Sequence, residues 1–345
     1  MFSLVTGANG FIGSHVARFL VTQGELVRVL VRPQSDLRAL AGFPVEFAFG
    51  DLRDPASLPP ALRDVWRVYH VAADYRLWAQ NPQEIYRNNV TGTRNLLAAA
   101  RMAGVDRFIH TSSVGTLVPP HAAKLPDEQT WLRLEDMIGH YKRSKFLAEQ
   151  AALEAARSGQ PVVIVNPTTP VGPGDWKPTP TGRVIVDFLN GRMPAYVDTG
   201  LNLVAVEDVA RGHWLAADRG KIGERYLLGD RNLTLKQLLE ILSALSGRPA
   251  PRLRLPHAVP YMAALADSLA ARLFRRPPRI PLEAVRLARH KMFVDCSRAV
   301  RELGFHPSPL EEALMRAIRW YFENGYTQSL PNGGPSREPA AGVAA

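Results

Sequence analysis

Phe2-Ser3-Leu4-Val5-Thr6-Gly7-Ala8-Asn9-Gly10-Phe11-Ile12-Gly13-Ser14 is the stretch that decides the fold. Residues 2–5 form a short apolar run suited to a buried parallel strand. Over residues 11–23 the apolar side chains Phe11, Ile12, Val16, Phe19 and Leu20 recur at helical spacing. The glycines follow Gly-x-x-Gly-x-x-Gly, not the commoner Gly-x-Gly-x-x-Gly. A strand, a glycine turn and a helix N-terminus together make an anion site: unpaired backbone N–H groups and the positive end of the helix dipole face the phosphates. A Cβ in that turn would hold a pyrophosphate off the backbone. Gly7, Gly10, Phe11, Ile12 and Gly13 are therefore candidate cofactor contacts. The competing reading is an ordinary strand-to-helix turn, and the flanking pattern argues against it.

A second apolar run, residues 26–31, ends at Arg32. NAD calls for an acidic residue about 20 positions beyond the glycines, to hold the ribose 2′-hydroxyl. Arg32, with Arg38 close behind, suits a 2′-phosphate instead, so NADP(H) is favoured and NAD(H) stays open. A solvated surface arginine is the alternative. After a third apolar run, residues 45–49, Asp51-Leu52 is either an adenine-side contact or an Asx turn closing the strand.

Tyr141-Lys142-Arg143-Ser144-Lys145 lies on a helical segment spanning about 138–157, stopped by Ser158-Gly159. The i,i+4 spacing puts Tyr141 and Lys145 on one face. Free tyrosine has a pKa of about 10, and a neighbouring ammonium is expected to lower it. On an arbitrary helix such a pair is a surface feature. Downstream of this glycine loop it reads as a proton donor and the cation that tunes it. A strand at 107–110 leads into Thr111-Ser112-Ser113, where the Ser113 hydroxyl can steady a substrate oxygen. Turn chemistry is the plainer reading of the same residues.

Taken in order, these motifs resemble the extended short-chain dehydrogenase/reductase superfamily, from Phe2 to Tyr326. His70-Val71-Ala72-Ala73, Asn89-Val90-x-Gly92-Thr93 and Val206-Glu207-Asp208-Val209-Ala210 extend the match. The resemblance implies that Ser113, Tyr141 and Lys145 are catalytic. It implies too that Ala72 and Ala73 flank the cofactor ribose, and that Pro167 and Val171 lie by the nicotinamide. Within the superfamily the chain is similar to the dihydroflavonol-reductase-like branch, and more closely to the hopanoid-associated sugar epimerase family of bacteria. Asp74-Tyr75-Arg76-Leu77-Trp78-Ala79, Asp136-Met137-Ile138-Gly139-His140-Tyr141, Lys177-Pro178-Thr179-Pro180-Thr181-Gly182-Arg183 and the stretch 194–204 carry that closer match. It implies a sugar, polyol or hopanoid-linked substrate in a hopanoid side-chain pathway. One departure matters. Nucleotide-sugar enzymes of the superfamily carry an arginine for the diphosphate where this chain has Leu201, which tilts the chemistry toward an NADPH-linked reductase.

The expected fold is α/β: a Rossmann-type doubly wound parallel sheet with a smaller C-terminal α/β substrate lobe. Its 345 residues, 46% hydrophobic, suit a cofactor-binding core over 1–170 and a substrate lobe over 171–326. Segments near 203–210 and 225–228 are expected to return to the core, and 327–345 reads as a disordered tail. The lone Cys296 excludes an intramolecular disulfide and fits a reducing, cytoplasmic setting. Nine histidines without clustered ligand spacing argue against a metal site. His70 and His110, at strand ends, read as packed or hydrogen-bonded rather than catalytic. With the first strand at Phe2, no signal peptide is expected.

The net charge of +10 raises the question of nucleic acid, but no basic block with interleaved aromatics forms a recognisable nucleic-acid module. Residues 259–274 are hydrophobic and lead into Arg275-Arg276-Pro277-Pro278-Arg279. They read as a core-facing lobe helix or, through 259–279, as a peripheral membrane contact. A homodimer is left open. Net reduction and epimerisation would share every catalytic residue. A non-catalytic NADP(H) sensor would need only the glycine loop, and the intact Ser113, Tyr141 and Lys145 argue against it.

Overall fold

The computed structural model describes residues 1–119, 124–274 and 276–328. Six strands come in the first half of the chain: β1 (Phe2–Thr6), β2 (Val27–Val31), β3 (Glu46–Phe49), β4 (Val65–His70), β5 (Arg107–Thr111) and β6 (Val162–Pro167). Seven more follow: β7 (Thr169–Val171), β8 (Ala195–Val197), β9 (Gly200–Ala205), β10 (Arg225–Leu228), β11 (Arg231–Thr234), β12 (Leu253–Leu255) and β13 (Lys291–Met292). The main sheet runs β10-β6-β5-β4-β1-β2-β3, and every neighbouring pair is parallel. The chain starts in the middle, builds outward through β3, then crosses back to β4. That reversal opens a crevice at the carboxyl ends of β1 and β4, where doubly wound sheets bind ligands.

Both faces of this sheet are covered, which is why β2 and β6 are buried along their whole length. The first-half helices are α1 (Phe11–Thr22), α2 (Gln83–Tyr86), α3 (Gly92–Met102) and α4 (Gly139–Arg157). A π turn over Arg87–Thr91 joins α2 to α3. In the second half come α5 (Pro180–Leu189), α6 (Val206–Arg219), α7 (Leu235–Ser246), α8 (Ala258–Leu273), α9 (Leu282–Leu287), α10 (Ser297–Leu303) and α11 (Leu310–Glu323). One face of the sheet packs α1 and α6 through Val16, Leu20, Val209 and Leu215. The other packs α3 and α4 through Leu96, Leu97, Ala152 and Leu153.

A second sheet, β11-β9-β13 with β7 alongside β9, forms the smaller lobe under α5, α7 and α11. The two returning segments divide their work. β10 adds a seventh strand to β6, whereas β9 stays in the lobe sheet and hands the chain to α6, which packs on the main sheet. Leu203–Ala205 therefore does not join the parallel sheet as a strand, although Val204 shares its core. Thr327 is buried at the end of the described chain. The rest of the expected tail, from 329, lies outside the described residues. Among the described residues no helix is long and apolar enough to cross a membrane.

Candidate active site

The glycine turn sits at the switch point and is folded tightly against β4. Gly7 adopts φ +69°, and a Cβ there would lie 2.6 Å from the backbone N and Cα of Ala72. A Cβ on Gly13 would meet the Gly7 carbonyl oxygen at 2.1 Å. Neither position can take a side chain without moving backbone. Gly10 caps α1 with no side-chain hydrogen bond, and the first turn holds no acid. The leading N–H groups, those of Phe11, Ile12 and Gly13 among them, thus have no intrahelical acceptor. The Ala72 N–H donates to Thr6 Oγ1 at 3.2 Å, which draws the ends of β1 and β4 together, and Ala73 follows exposed.

On the other side of β1, Thr6 is level with Leu30 of β2, so Arg32 emerges at the same end as the glycine turn. Its side chain is exposed, and no ion-pair partner for it is seen among the described residues. Arg38 is committed elsewhere: its guanidinium forks onto Asp36, Nη2 at 2.7 Å, and lies 4.9 Å from the Trp176 ring centre. Asp51 is committed too. It accepts the Arg53 backbone N–H at 2.9 Å in an Asx turn and pairs with the Arg53 guanidinium, which holds its carboxyl below the usual range. Leu52 packs against Gly92, and its carbonyl accepts Asn95 Nδ2 at 2.8 Å. Of the two readings of Asp51-Leu52, the turn is the one the geometry displays.

α4 carries the candidate pair Tyr141 and Lys145. Tyr141, Lys145 and Glu149 follow at i, i+4 and i+8, one stripe laid along the end of β5. Tyr141 hydrogen-bonds the side chain of Ser113. Ser113 is fixed in turn, because its Oγ accepts the Gly115 N–H at 3.1 Å and caps the short 3₁₀ turn Val114–Thr116. Lys145 Nζ donates to the Thr111 carbonyl at 2.6 Å, fully enclosed. Burial lowers its pKa to about 8, with Glu149 opposing. Tyr141 moves the other way: burial raises its phenol above the ordinary value, and the Ser113 bond offsets only part. The expectation that Lys145 lowers the resting pKa of Tyr141 is not what the site displays. Its ammonium is turned onto a carbonyl, and desolvation dominates the phenol.

Glu149 was not singled out from sequence, yet it anchors the stripe. Its carboxylate pairs with Arg225 at 3.3 Å, both side chains fully buried. It also accepts Thr116 Oγ1 and Asn166 Nδ2, each at 2.8 Å. Asn166 reaches the Ser113 carbonyl at 3.1 Å, so β6, β10 and α4 all brace the Ser113 turn. Pro167 closes β6 beside it, while Val171 is buried in the lobe core. A second relay runs from the glycine turn to α4. Thr6 Oγ1 meets His70 Nδ1 and His70 Nε2 meets Thr93 Oγ1, each at 2.8 Å. Asn89, in the π turn, then donates to Ser144 Oγ at 2.8 Å, and Ser144 to the Tyr141 carbonyl at 2.7 Å. Burial and the Lys145 charge depress His70 to about 3 and His110 well below its usual range, so both are neutral packed rings. Lys142, next to Tyr141, is buried against Met292 Sδ at 3.6 Å, with its pKa lowered to about 8 by burial. Among the described residues no cluster of side chains could hold a metal ion.

Removing one member of a buried ion pair strands the other. Glu149→Ala should cost about 3–5 kcal/mol in urea unfolding, and adding Arg225→Met should recover part of it. A loss below about 1 kcal/mol would mean that the pair does not anchor α4.

The NAD dependent epimerase/dehydratase family model matches residues 3–229. A putative dihydroflavonol 4-reductase from Synechocystis sp. is 43% identical over 94% of this chain and 96% of its own length. Sterol demethylase protein B from Methylococcus capsulatus is 41% identical over 94% of this chain and 99% of its own. Among solved structures, a nucleoside-diphosphate-sugar epimerase from Pseudomonas aeruginosa superposes with a TM-score of 0.78 at 32% identity, covering 95% of this chain and 99% of that one. The chain belongs to the NAD dependent epimerase/dehydratase family and is an NAD(P)-dependent enzyme of the extended short-chain dehydrogenase/reductase type.

Proposed function

We propose that this enzyme reduces a carbonyl to an alcohol with NADPH, Tyr141 supplying the proton. The observation that carries the reading is the enclosed arrangement of Tyr141 on the Ser113 side chain with Lys145 one turn along α4 on the Thr111 carbonyl. Burial holds the Tyr141 phenol protonated at neutral pH while its hydroxyl bonds Ser113, and Lys145 below about 8 is an ammonium. That is an acid loaded for donation. Ser113 orients the substrate oxygen, Tyr141 gives it the proton, and Lys145 favours the phenolate that remains. Glu149 and Asn166 keep Ser113 in place.

The residues fit a dinucleotide. The cradle at Gly7 and Gly13 is one a Cβ would fill, α1 presents an open N-terminus, and Arg32 is exposed at the same end. In our reading Gly7, Gly10, Phe11, Ile12 and Gly13 hold the pyrophosphate and Arg32 the 2′-phosphate. Leu52 and the Asp51 turn border the adenine, Ala72 and Ala73 the ribose, and Pro167 and Val171 the nicotinamide side. The bound cofactor supplies the hydride.

For the substrate we propose a sugar or polyol carbonyl on a hopanoid-type lipid, in hopanoid side-chain synthesis. Leu201 supports a ligand without a diphosphate: it is half-buried against the lobe core, where a charged side chain would be needed for a nucleotide sugar. Because an epimerase would use the same Ser113, Tyr141 and Lys145, tightly retained cofactor on the purified protein would favour epimerisation, and freely exchanging NADPH favours net reduction. The proposed setting is cytoplasmic, with peripheral membrane contact.

Tyr141→Phe keeps the ring and removes the proton. Turnover should fall by about 10²–10⁴-fold with NADPH affinity unchanged. Near-parental activity in steady-state assays would eliminate Tyr141 as the acid.

For the cofactor, titration should show NADPH binding more tightly than NADH, and Arg32→Asp should reverse the order. Equal binding by the parent, with no change in the variant, would remove Arg32 from the 2′-phosphate site.

A further inference from the structure

The net charge of +10 is concentrated. Residues 248–291 hold ten Lys and Arg against two Asp and Glu. Within that segment α8 is built the wrong way round for a helix facing water. Its buried positions are small, Ala264 and Ala271. Four of its large apolar residues point outward, Val259 at 50% exposed, Met262 63%, Leu269 67% and Leu273 77%, with Phe274 at 70% just past the end, while Tyr261 and Leu265 are half-buried. Positions 259, 262, 266, 269 and 273 recur at intervals of three and four, so with Ala266 they form one continuous stripe. The helix is thus core-facing only along its Ala264 and Ala271 side, and Leu269 and Leu273 lie on the surface.

Cations edge this stripe. α9 packs against α8 and carries Arg286 and Arg289, both exposed. The Arg289 guanidinium lies 4.9 Å from the Tyr261 ring centre, on the flank of α8. Together with Arg143 these two arginines border a cavity of about 380 Å³ that Tyr261 and Glu135 also line. Arg279 is exposed beyond the helix end, while Arg276 is paired with Asp267 at 2.5 Å. Arg275 lies outside the described residues.

We infer that α8 lies in the headgroup layer of an anionic bilayer, apolar stripe down, with Arg279, Arg286 and Arg289 on lipid phosphates. Apolar surface of this extent edged mostly by cations, with Glu135 beside them and Asp267 taken up by Arg276, fits that medium. A second copy of the chain fits poorly, because a two-fold contact would set like-charged rims against each other. The inference does not depend on the reaction: vesicle binding can fail while Tyr141-dependent reduction stands, and the reverse.

The test is co-flotation of the full chain with phosphatidylcholine vesicles containing roughly one third phosphatidylglycerol. The protein should float at low salt, fall about tenfold in bound fraction at high salt, and float poorly with phosphatidylcholine alone. Leu269→Ser/Leu273→Ser should melt like the parent and lose flotation by about tenfold or more. Arg279→Glu/Arg286→Glu should lose the preference for anionic vesicles. Failure of the parent to float at low salt would overturn the inference, as would unchanged flotation of the serine variant. So would a parent oligomer that the serine variant dissociates, which would make the stripe a contact between copies.

Discussion

The site depends on one constraint: a single stripe of α4 must stay docked along the end of β5. Tyr141 meets the Ser113 side chain, Lys145 the Thr111 carbonyl, and Glu149 the Thr116 hydroxyl, one helical turn apart each time. The backbone from Thr111 to Thr116 is therefore gripped at three successive points. Sliding α4 by one turn would unpair a buried carboxylate and a buried guanidinium at once. That penalty fixes the register, and the register sets the Tyr141 phenol beside the Ser113 hydroxyl.

A second constraint ties this stripe to the cofactor end. Thr6, His70, Thr93, Asn89 and Ser144 link β1, β4, α3 and α4 through buried hydrogen bonds. Each is satisfied only while its neighbours stay put, so the glycine turn and the Tyr141 carbonyl are held in one frame. The π turn at Arg87–Thr91 has a purpose in that frame: the wider turn carries Asn89, whose amide reaches both the Asp74 backbone and Ser144. The segment 248–291 carries most of the excess positive charge and comes up to the start of α4, where Glu283 accepts the His140 N–H at 3.4 Å.

Much of this was legible in the chain. The apolar runs that became β1, β2 and β6 are continuous because both faces of the sheet are covered, and the glycines announce a close approach of backbone to backbone. Tyr141 and Lys145 were legible by spacing, and Ser113 by its place after a strand. What spacing could not convey was environment. The depressed Lys145 and the elevated Tyr141 both come from burial, a tertiary property, so the sign of the tyrosine shift was misjudged. Glu149 did carry a signal, a carboxylate one further turn along the same face, but its partner Arg225 lies 76 positions away. α8 was ambiguous for a related reason: composition gives its apolar content, and only packing decides which side faces out.

The central claim is that α4 holds a dehydrated, pre-assembled acid and cation against β5. Lys145 reports on it most directly, because burial between α4 and the end of β5 is what lowers its pKa to about 8. The measurement is a pH titration of ¹³C-labelled lysine side chains by NMR, with the Lys145 signal assigned by its loss in Lys145→Met. A midpoint of about 8, with the charge present below it and lost above, is the predicted result. A Lys145 midpoint of about 10.4, in line with free lysine, would contradict it.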